Sequence, residues 1–143
     1  MATTAGYSGT PLPRKLGIRP DSRTLLVAEP ATLDLGPLPP GAVVTRTAGG
    51  APYDVILAFC PDQAALRRRV TPLARRLTPA GALWICWPKK ASGVPTDLSD
   101  SVVRETGLVA GLVDVKVAAI DKTWSGLKFV YRLADRPRPP APR

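Results

Sequence analysis

The chain has 143 residues, a formal net charge of +9 and an ordinary apolar fraction of 45%. This length suffices for one domain with a real core and does not favour a second one. No apolar run approaches the roughly 20 residues that a membrane-spanning helix needs. The opening MATTAGYSGTPLPRK lacks the apolar block of a secretory signal. The sequence therefore predicts a cytoplasmic protein with no membrane association.

The chain contains two cysteines and no histidine. Cys60 and Cys86 lie within the most apolar segments, where a free cysteine behaves as a small hydrophobic residue. Their spacing matches no metal-site pattern, so we expect two buried thiols and no metal site. The absence of histidine also excludes a Ser-His-Asp triad and histidine acid-base chemistry.

Three regions are predicted along the chain. Glycine and proline recur through residues 1–22, which are expected to form an arm laid over the domain, with one short turn at Pro13–Leu16. Residues 23–133 carry the periodic apolar segments of an α/β domain. Residues 134–143 are rich in proline and arginine and are predicted to be a disordered tail.

Three predicted strands open the domain. The first two are Thr24–Ala28 and residues 41–47, and the link between them is rich in proline, leaving room for at most a turn or two of helix. The third is YDVILAFC, a continuous apolar run typical of a strand covered on both faces.

Helices and strands alternate in the rest of the domain. A helix is predicted from its cap Asp62 to Leu77, kinked or divided by Pro72, and LTPAGALWICWP then enters a fourth strand. A second helix is predicted from Ser99 to about Ala110, followed by two alternating segments that indicate a hairpin. The predicted fold class is α/β, a single Rossmann-like, mostly parallel sheet with a C-terminal antiparallel hairpin.

This order resembles a shortened class I S-adenosylmethionine methyltransferase between Arg23 and Leu133. The resemblance is strongest in YDVILAF and LARRLTPAGALWI, which are similar to that family's strand, helix, turn and strand. The runs TAGYSGTPLPRKLGI, WPKKASG and AIDKTWSGLKFV also resemble a small bacterial family of unknown function from high-GC genomes. Both resemblances imply a methyltransferase-like fold, and the second implies no established activity.

The positions that bind the cofactor in methyltransferases depart from that family's pattern. The first strand runs into Ala28-Glu29-Pro30 where the resemblance implies a glycine-rich turn, and proline removes a backbone donor. The second strand ends in Thr45-Arg46-Thr47 where an acid should accept hydrogen bonds from the ribose. We therefore expect a degenerate cofactor site, no cofactor and a non-enzymatic role, with S-adenosylmethionine disfavoured.

The loop after the fourth strand is the strongest candidate site. In an open α/β sheet, ligands bind at the carboxyl ends of the strands, where WPKKASGVPTD lies. An aromatic face, two ammonium groups, a hydroxyl and backbone amides are suited to a phosphate, a carboxylate or a nucleobase. The alternative is a solvated basic loop over a core tryptophan. The candidate ligand-binding residues are Trp87, Lys89, Lys90, Ser92, Gly93 and Asp97.

Two further surfaces each allow two interpretations. Trp124, in the final hairpin, either packs back on the sheet or marks a partner surface together with Tyr7. Five arginines of the first long helix form either a phosphate-binding stripe or an ordinary solvated face; they are Arg67, Arg68, Arg69, Arg75 and Arg76.

Three functional hypotheses follow from these features. The first is a non-enzymatic domain that binds an anionic small ligand or a protein partner through the loop at residues 87–97. The second is a divergent S-adenosylmethionine-dependent methyltransferase. The third is a nucleic-acid binder without sequence preference, which the net charge of +9 keeps open.

Overall fold

The computed structural model describes residues 10–50 and 52–135, which form one six-stranded sheet with three helices. The helices are α1 (Leu12–Leu16), α2 (Gln63–Ala74) and α3 (Asp100–Val109). The strands are β1 (Arg23–Val27), β2 (Val43–Thr45), β3 (Tyr53–Phe59), β4 (Leu77–Pro88), β5 (Leu112–Ala119) and β6 (Trp124–Tyr131). Short 3₁₀ turns lie at Lys90–Ser92 and Leu133–Asp135.

The strand order across the sheet is β2-β1-β3-β4-β6-β5. The first four strands are mutually parallel, whereas β6 runs antiparallel to both β4 and β5. The last strand of the chain therefore lies between the fourth strand and the fifth. This arrangement confirms the predicted fold class, a mostly parallel sheet that ends in an antiparallel hairpin.

Each face of the sheet has its own cover. On what we call the helix face, α2 and α3 pack over side chains that include Leu25, Ile56, Leu83, Leu127 and Phe129. On the opposite side, which we call the arm face, the segment that contains Leu16 and Ile18 packs over Leu26, Val55, Leu57 and Trp84.

The link between β1 and β2 contains no helix, as its prolines predict. Leu33 and Leu35, from this link, pack instead at the margin of the arm face. Among the described residues no helix is long and apolar enough to span a membrane. The predicted disordered tail lies almost wholly outside the described residues.

α2 begins as predicted and ends earlier. The Asp62 carboxylate accepts a hydrogen bond from the Ala65 N–H at 2.9 Å, as an N-cap does. Pro72 lies inside the helix without dividing it, because it falls in the last turn, next to the end at Ala74. The predicted extension to Leu77 is wrong. Leu77 pairs with Tyr53 at the start of β4, and this strand pairing takes it out of the helical stripe.

The start of β4 approaches β3 closely at Gly81. A Cβ on Gly81 would lie 3.0 Å from the Tyr53 carbonyl oxygen, a distance that real side chains rarely tolerate. Around this glycine the pairing register shifts, from Tyr53 opposite Leu77 to Val55 opposite Ala82. The Pro79–Gly81 segment, expected as a turn, is therefore an irregularity inside the strand.

α3 agrees with its prediction at both ends. The Ser99 hydroxyl accepts a hydrogen bond from the Val102 N–H at 3.3 Å, and the helix ends before Ala110. Gly107 packs directly on the Phe129 ring, since a Cβ at that position would lie 2.1 Å from a ring carbon.

Candidate functional site

The carboxyl ends of β1, β2, β3 and β4 meet at one edge of the sheet, together with the amino end of β6. At the β4 end, a cleft of about 780 Å³ opens between the loop that follows the strand and the start of α3. Its walls come from two parts of the chain, one continuous segment and a single residue of β6. The lining residues are Trp87, Lys89, Lys90, Gly93, Val94, Pro95, Thr96, Asp97, Leu98, Ser99, Asp100 and Ser125.

Five of the six predicted ligand-binding residues line this cleft, and Ser92 does not. The Ser92 hydroxyl donates to the Lys89 carbonyl at 2.6 Å and accepts from the Val94 N–H at 3.2 Å, so it closes the loop's own turn. Three lining residues that the loop sequence did not indicate are Ser99, Asp100 and Ser125. Ser99 and Asp100 directly follow the loop at the start of α3, whereas Ser125 comes from β6 and is brought to this place only by the fold.

The cleft loop is anchored to the start of α2. The Thr96 hydroxyl donates to the Pro61 carbonyl at 2.7 Å, and the Asp97 carboxylate accepts from the Gln63 N–H at 2.8 Å. The Gln63 side-chain amide also donates to the Asp97 carbonyl at 3.0 Å. These bonds fix the loop against the end of β3, so the cleft is preformed.

The cleft combines an apolar floor with a charged rim. Trp87 and Leu98 are buried, and each leaves only a small apolar surface facing the cleft. Lys89 and Lys90 supply positive charge. Asp97 and Asp100 carry negative charge. The Asp97 carboxylate, however, accepts a hydrogen bond from Gln63, and the Asp100 carboxylate forms an ion pair with Arg104. The two lysines therefore remain the groups suited to an anionic part of a ligand.

At the ends of β1 and β2 the structure places an acid that the sequence analysis overlooked. Glu29 lies two residues after the end of β1 at Val27, its side chain is only 17% exposed, and its carboxylate forms an ion pair with Arg46. Ala28, just before it, has a φ of 56°, a left-handed conformation that usually belongs to glycine. The turn after β1 therefore keeps a glycine-type conformation without the glycine. The signal available in sequence was Glu29 itself.

The two cysteines at this edge are buried, as predicted. Burial raises the pKa of both thiols, and it raises that of Cys86 well above the ordinary value. The nearby Arg69 guanidinium opposes this shift at Cys60 without cancelling it. Neither thiol is therefore a reactive thiolate at neutral pH.

Trp124 packs back on the sheet, the first of its two predicted alternatives. Its ring meets the Phe59 ring edge to face, with centroids 5.1 Å apart, and its backbone N–H donates to the Asp121 carboxylate at 2.8 Å. It remains half-buried. Tyr7, its predicted companion, lies outside the described residues, so the partner surface stays a prediction.

The arginines of α2 do not all face solvent. Arg69 is half-buried and its guanidinium donates to the Phe59 carbonyl at 2.6 Å, at the end of β3. Arg67 donates to the Gln63 side chain at 2.9 Å. Arg67 and Arg68 are exposed. Arg75 and Arg76 are exposed as well, but they follow the end of α2 at Ala74, so the prediction that they belong to this helix is wrong. Nucleic-acid binding by this helix stays a prediction.

Comparison with known proteins identifies the fold. No protein-family model and no curated protein sequence matches the chain. Among solved structures, an S-adenosylmethionine-dependent methyltransferase from Aquifex aeolicus is similar, with a TM-score of 0.54, 12% identity and coverage of 81% of this chain and 85% of that one.

Two further methyltransferases are similar at a TM-score of 0.50. N-methyltransferase NodS from Bradyrhizobium japonicum is 14% identical over 76% of this chain and 84% of its own. A TehB-like SAM-dependent methyltransferase from Corynebacterium glutamicum is 10% identical over 79% of this chain and 82% of its own. The chain therefore has a class I methyltransferase-like fold, as the first resemblance implies.

These neighbours correct one expectation. The sequence analysis predicted no cofactor and disfavoured S-adenosylmethionine, because the glycine-rich turn and the acid on the second strand are missing. That prediction is wrong: the chain shares its fold with enzymes that depend on S-adenosylmethionine. The missing glycines are also weaker evidence than they looked, since the turn conformation persists at Ala28.

Proposed function

We propose that the protein is a divergent S-adenosylmethionine-dependent methyltransferase. The observation that carries this proposal is the partly buried Glu29 carboxylate, at the carboxyl end of β1 and beside the end of β2. Ligands of open α/β sheets bind at this edge, where strand ends supply backbone groups and side chains together. The similar solved structures, which include S-adenosylmethionine-dependent methyltransferases, support the same assignment.

The residues at this edge fit such a cofactor. A ribose offers two hydroxyl donors, and the Glu29 carboxylate supplies the acceptor that Arg46 lacks. The ion pair with Arg46 does not block this role, because the Arg46 side chain is 68% exposed and exposed pairs contribute little. Ala28, between β1 and Glu29, has a left-handed conformation, and the Glu29 carboxylate lies beside the end of β2, where it pairs with Arg46.

When bound, S-adenosylmethionine supplies an electrophilic methyl group on a sulfonium. The acceptor of that group is proposed to occupy the cleft beside Trp87, which lies at the end of β4, two strands from β1. Trp87 and Leu98 provide an apolar floor for a flat acceptor, and Lys89 and Lys90 orient an anionic group on it. The anchored loop at Thr96 and Asp97 keeps these side chains in place.

Calorimetric titration with S-adenosylmethionine tests the cofactor site, and two substitutions sharpen it. We expect saturable binding to the full chain. Glu29→Gln should weaken binding roughly 10- to 100-fold, because a hydrogen bond to a charged acceptor contributes about 1.5–3 kcal/mol. Arg46→Gln is the matched control: it removes the competing partner of Glu29 and should leave binding unchanged or tighter.

Two results would contradict the proposal. One is the absence of saturable heat at millimolar S-adenosylmethionine with a folded protein. The other is equal affinity in the wild-type chain and in Glu29→Gln. The double substitution of Lys89 and Lys90 with alanine should keep cofactor affinity within about twofold, because both lysines lie at the cleft rather than beside Glu29.

A further inference from the structure

A second cavity, of about 380 Å³, lies at the opposite edge of the sheet from Glu29 and the cleft. One wall is the turn of the N-terminal segment from Leu16 to Ser22. The others are the amino ends of β3 and β4, at Asp54 and Gly81, and one side chain from β6, Lys128. A volume of this size holds a small molecule rather than a polymer.

Two cations, Arg19 and Lys128, line this cavity, and a third, Lys116, lies beside Lys128 outside the lining. Lys128 lies directly opposite Lys116 in the pairing of β5 with β6, so both side chains share one face of the sheet. Arg19, from the N-terminal segment, lines the same cavity as Lys128. Like charges directly opposite on neighbouring strands destabilise a sheet. Burial, together with repulsion from Lys116 and Arg19, lowers the pKa of Lys128.

Acids do not neutralise these cations within the described part of the chain. The ion pairs found there join Arg46 to Glu29 and Arg104 to two aspartates, and none involves Arg19, Lys116 or Lys128. Two acids do share the cavity lining. The Asp54 carboxylate accepts a hydrogen bond from the Arg23 N–H at 2.8 Å and forms no ion pair with Arg19 or Lys128, but it keeps its negative charge.

The other acid is Asp21, whose carboxylate oxygen lies against Gly41: a Cβ there would meet it at 2.0 Å. It therefore packs on the backbone at the rim of the cavity and makes no ion pair with Arg19 or Lys128. Its negative charge disfavours a ligand with several negative charges. A ligand with one oxyanion group remains favourable.

We propose that this cavity is an oxyanion site in which Arg19 and Lys128 bind the phosphate or carboxylate group of a small ligand. A half-buried ammonium without a partner is costly, and an anion between the two cations removes both that cost and their repulsion. The Thr78 hydroxyl, which also lines the cavity, is a further donor. The site is distinct from the proposed cofactor position, because the two lie at opposite edges of the sheet.

Thermal unfolding of the full chain in sodium phosphate, against sodium chloride of matched ionic strength, tests this site. The wild-type Tm should rise by about 5 °C once phosphate is roughly tenfold above its dissociation constant, and should continue to rise with the logarithm of the phosphate concentration. Lys128→Gln should lose this rise. Without phosphate it should unfold at the wild-type temperature or above, because the repulsion with Lys116 is gone. A merely structural lysine would instead lower Tm when removed.

The controls separate the site from general charge effects. Lys122→Gln removes an exposed lysine of the β5–β6 loop, outside the cavity lining, and should keep the phosphate-dependent rise. Arg19→Gln should lose it. Sodium acetate in place of phosphate distinguishes the two kinds of ligand group. A rise of Tm in both salts means that the site also binds carboxylates, and a rise of Tm in phosphate alone means that it binds phosphate groups. The same Tm in wild-type protein in phosphate and chloride, or a rise retained by Lys128→Gln, overturns the proposal.

Discussion

The two faces of the sheet are covered in different ways. The helix face is covered by α2 and α3, and both helices begin at side-chain caps, Asp62 and Ser99. The arm face is covered by one five-residue helix, α1, whose N-cap position is Pro11 and which has no side-chain cap. The helices of the helix face are thus stabilised both by their own caps and by tertiary packing, whereas the cover of the arm face depends on tertiary contacts.

Tertiary contacts hold the arm face at specific points. Leu16 is fully buried, and its carbonyl accepts a hydrogen bond from the indole N–H of Trp84 at 3.0 Å. Trp84 is itself fully buried at the centre of the sheet. A five-residue helix is far too short to be stable in isolation. The segment that contains Leu16 and Ile18 is therefore an integral part of the core, and its conformation depends on these tertiary contacts.

The largest expected effect comes from breaking the arm face at Leu16. Leu16→Ala removes a fully buried side chain next to Trp84 and should lower the free energy of unfolding by about 2–5 kcal/mol. Urea unfolding followed by tryptophan fluorescence measures this loss. The matched control is Leu38→Ala, since Leu38 is 39% exposed and should change stability by less than about 0.5 kcal/mol. A loss below about 0.5 kcal/mol in Leu16→Ala would mean that Leu16 is not part of the core.

The next effect tests the helix face at its tightest contact. Gly107→Ala places a methyl group within the space of the Phe129 ring and should cost about 1–3 kcal/mol as α3 is pushed off the sheet. Because the clash is with one side chain, the same substitution in a Phe129→Leu background should cost distinctly less. Urea unfolding of the wild-type chain, the two single variants and the double variant measures the coupling energy between Gly107 and Phe129. Equal costs in both backgrounds would place the strain elsewhere.

The same contrast explains which parts of the fold could be predicted from sequence. β3, α2, β4 and α3 carry caps and apolar periodicity, signals that act over a few residues, and their order was predicted. On the arm face the sequence indicated only a short turn at Pro13–Leu16; it gave no sign that Leu16 and Ile18 are buried in the core, because they contact residues far along the chain. The misplaced end of α2 has the same cause: Leu77 fits the helical stripe, but pairing with Tyr53 places it in β4.

The candidate sites divide in a similar way. The loop from Trp87 to Asp97 was predictable, because one segment supplies most of the cleft and the carboxyl end of a strand locates it. Glu29 was given no role because the acid that accepts the ribose hydrogen bonds was expected only at the end of β2. Its neighbour across the strands, Arg46, is 17 residues away in sequence. The cavity of Arg19 and Lys128 joins four distant segments and has no sequence signature.

The smallest effect concerns the cap that distinguishes α2 from α1. Asp62→Ala removes the acceptor for the Ala65 N–H and should cost about 1 kcal/mol in urea unfolding, whereas Asp62→Asn should cost only a few tenths, because asparagine caps nearly as well. Asp97, from the cleft loop, accepts from the Gln63 N–H and still satisfies one other donor of the same turn. If Asp62→Asn were as damaging as Asp62→Ala, the carboxylate would act through its charge at the helix N-terminus rather than as an acceptor.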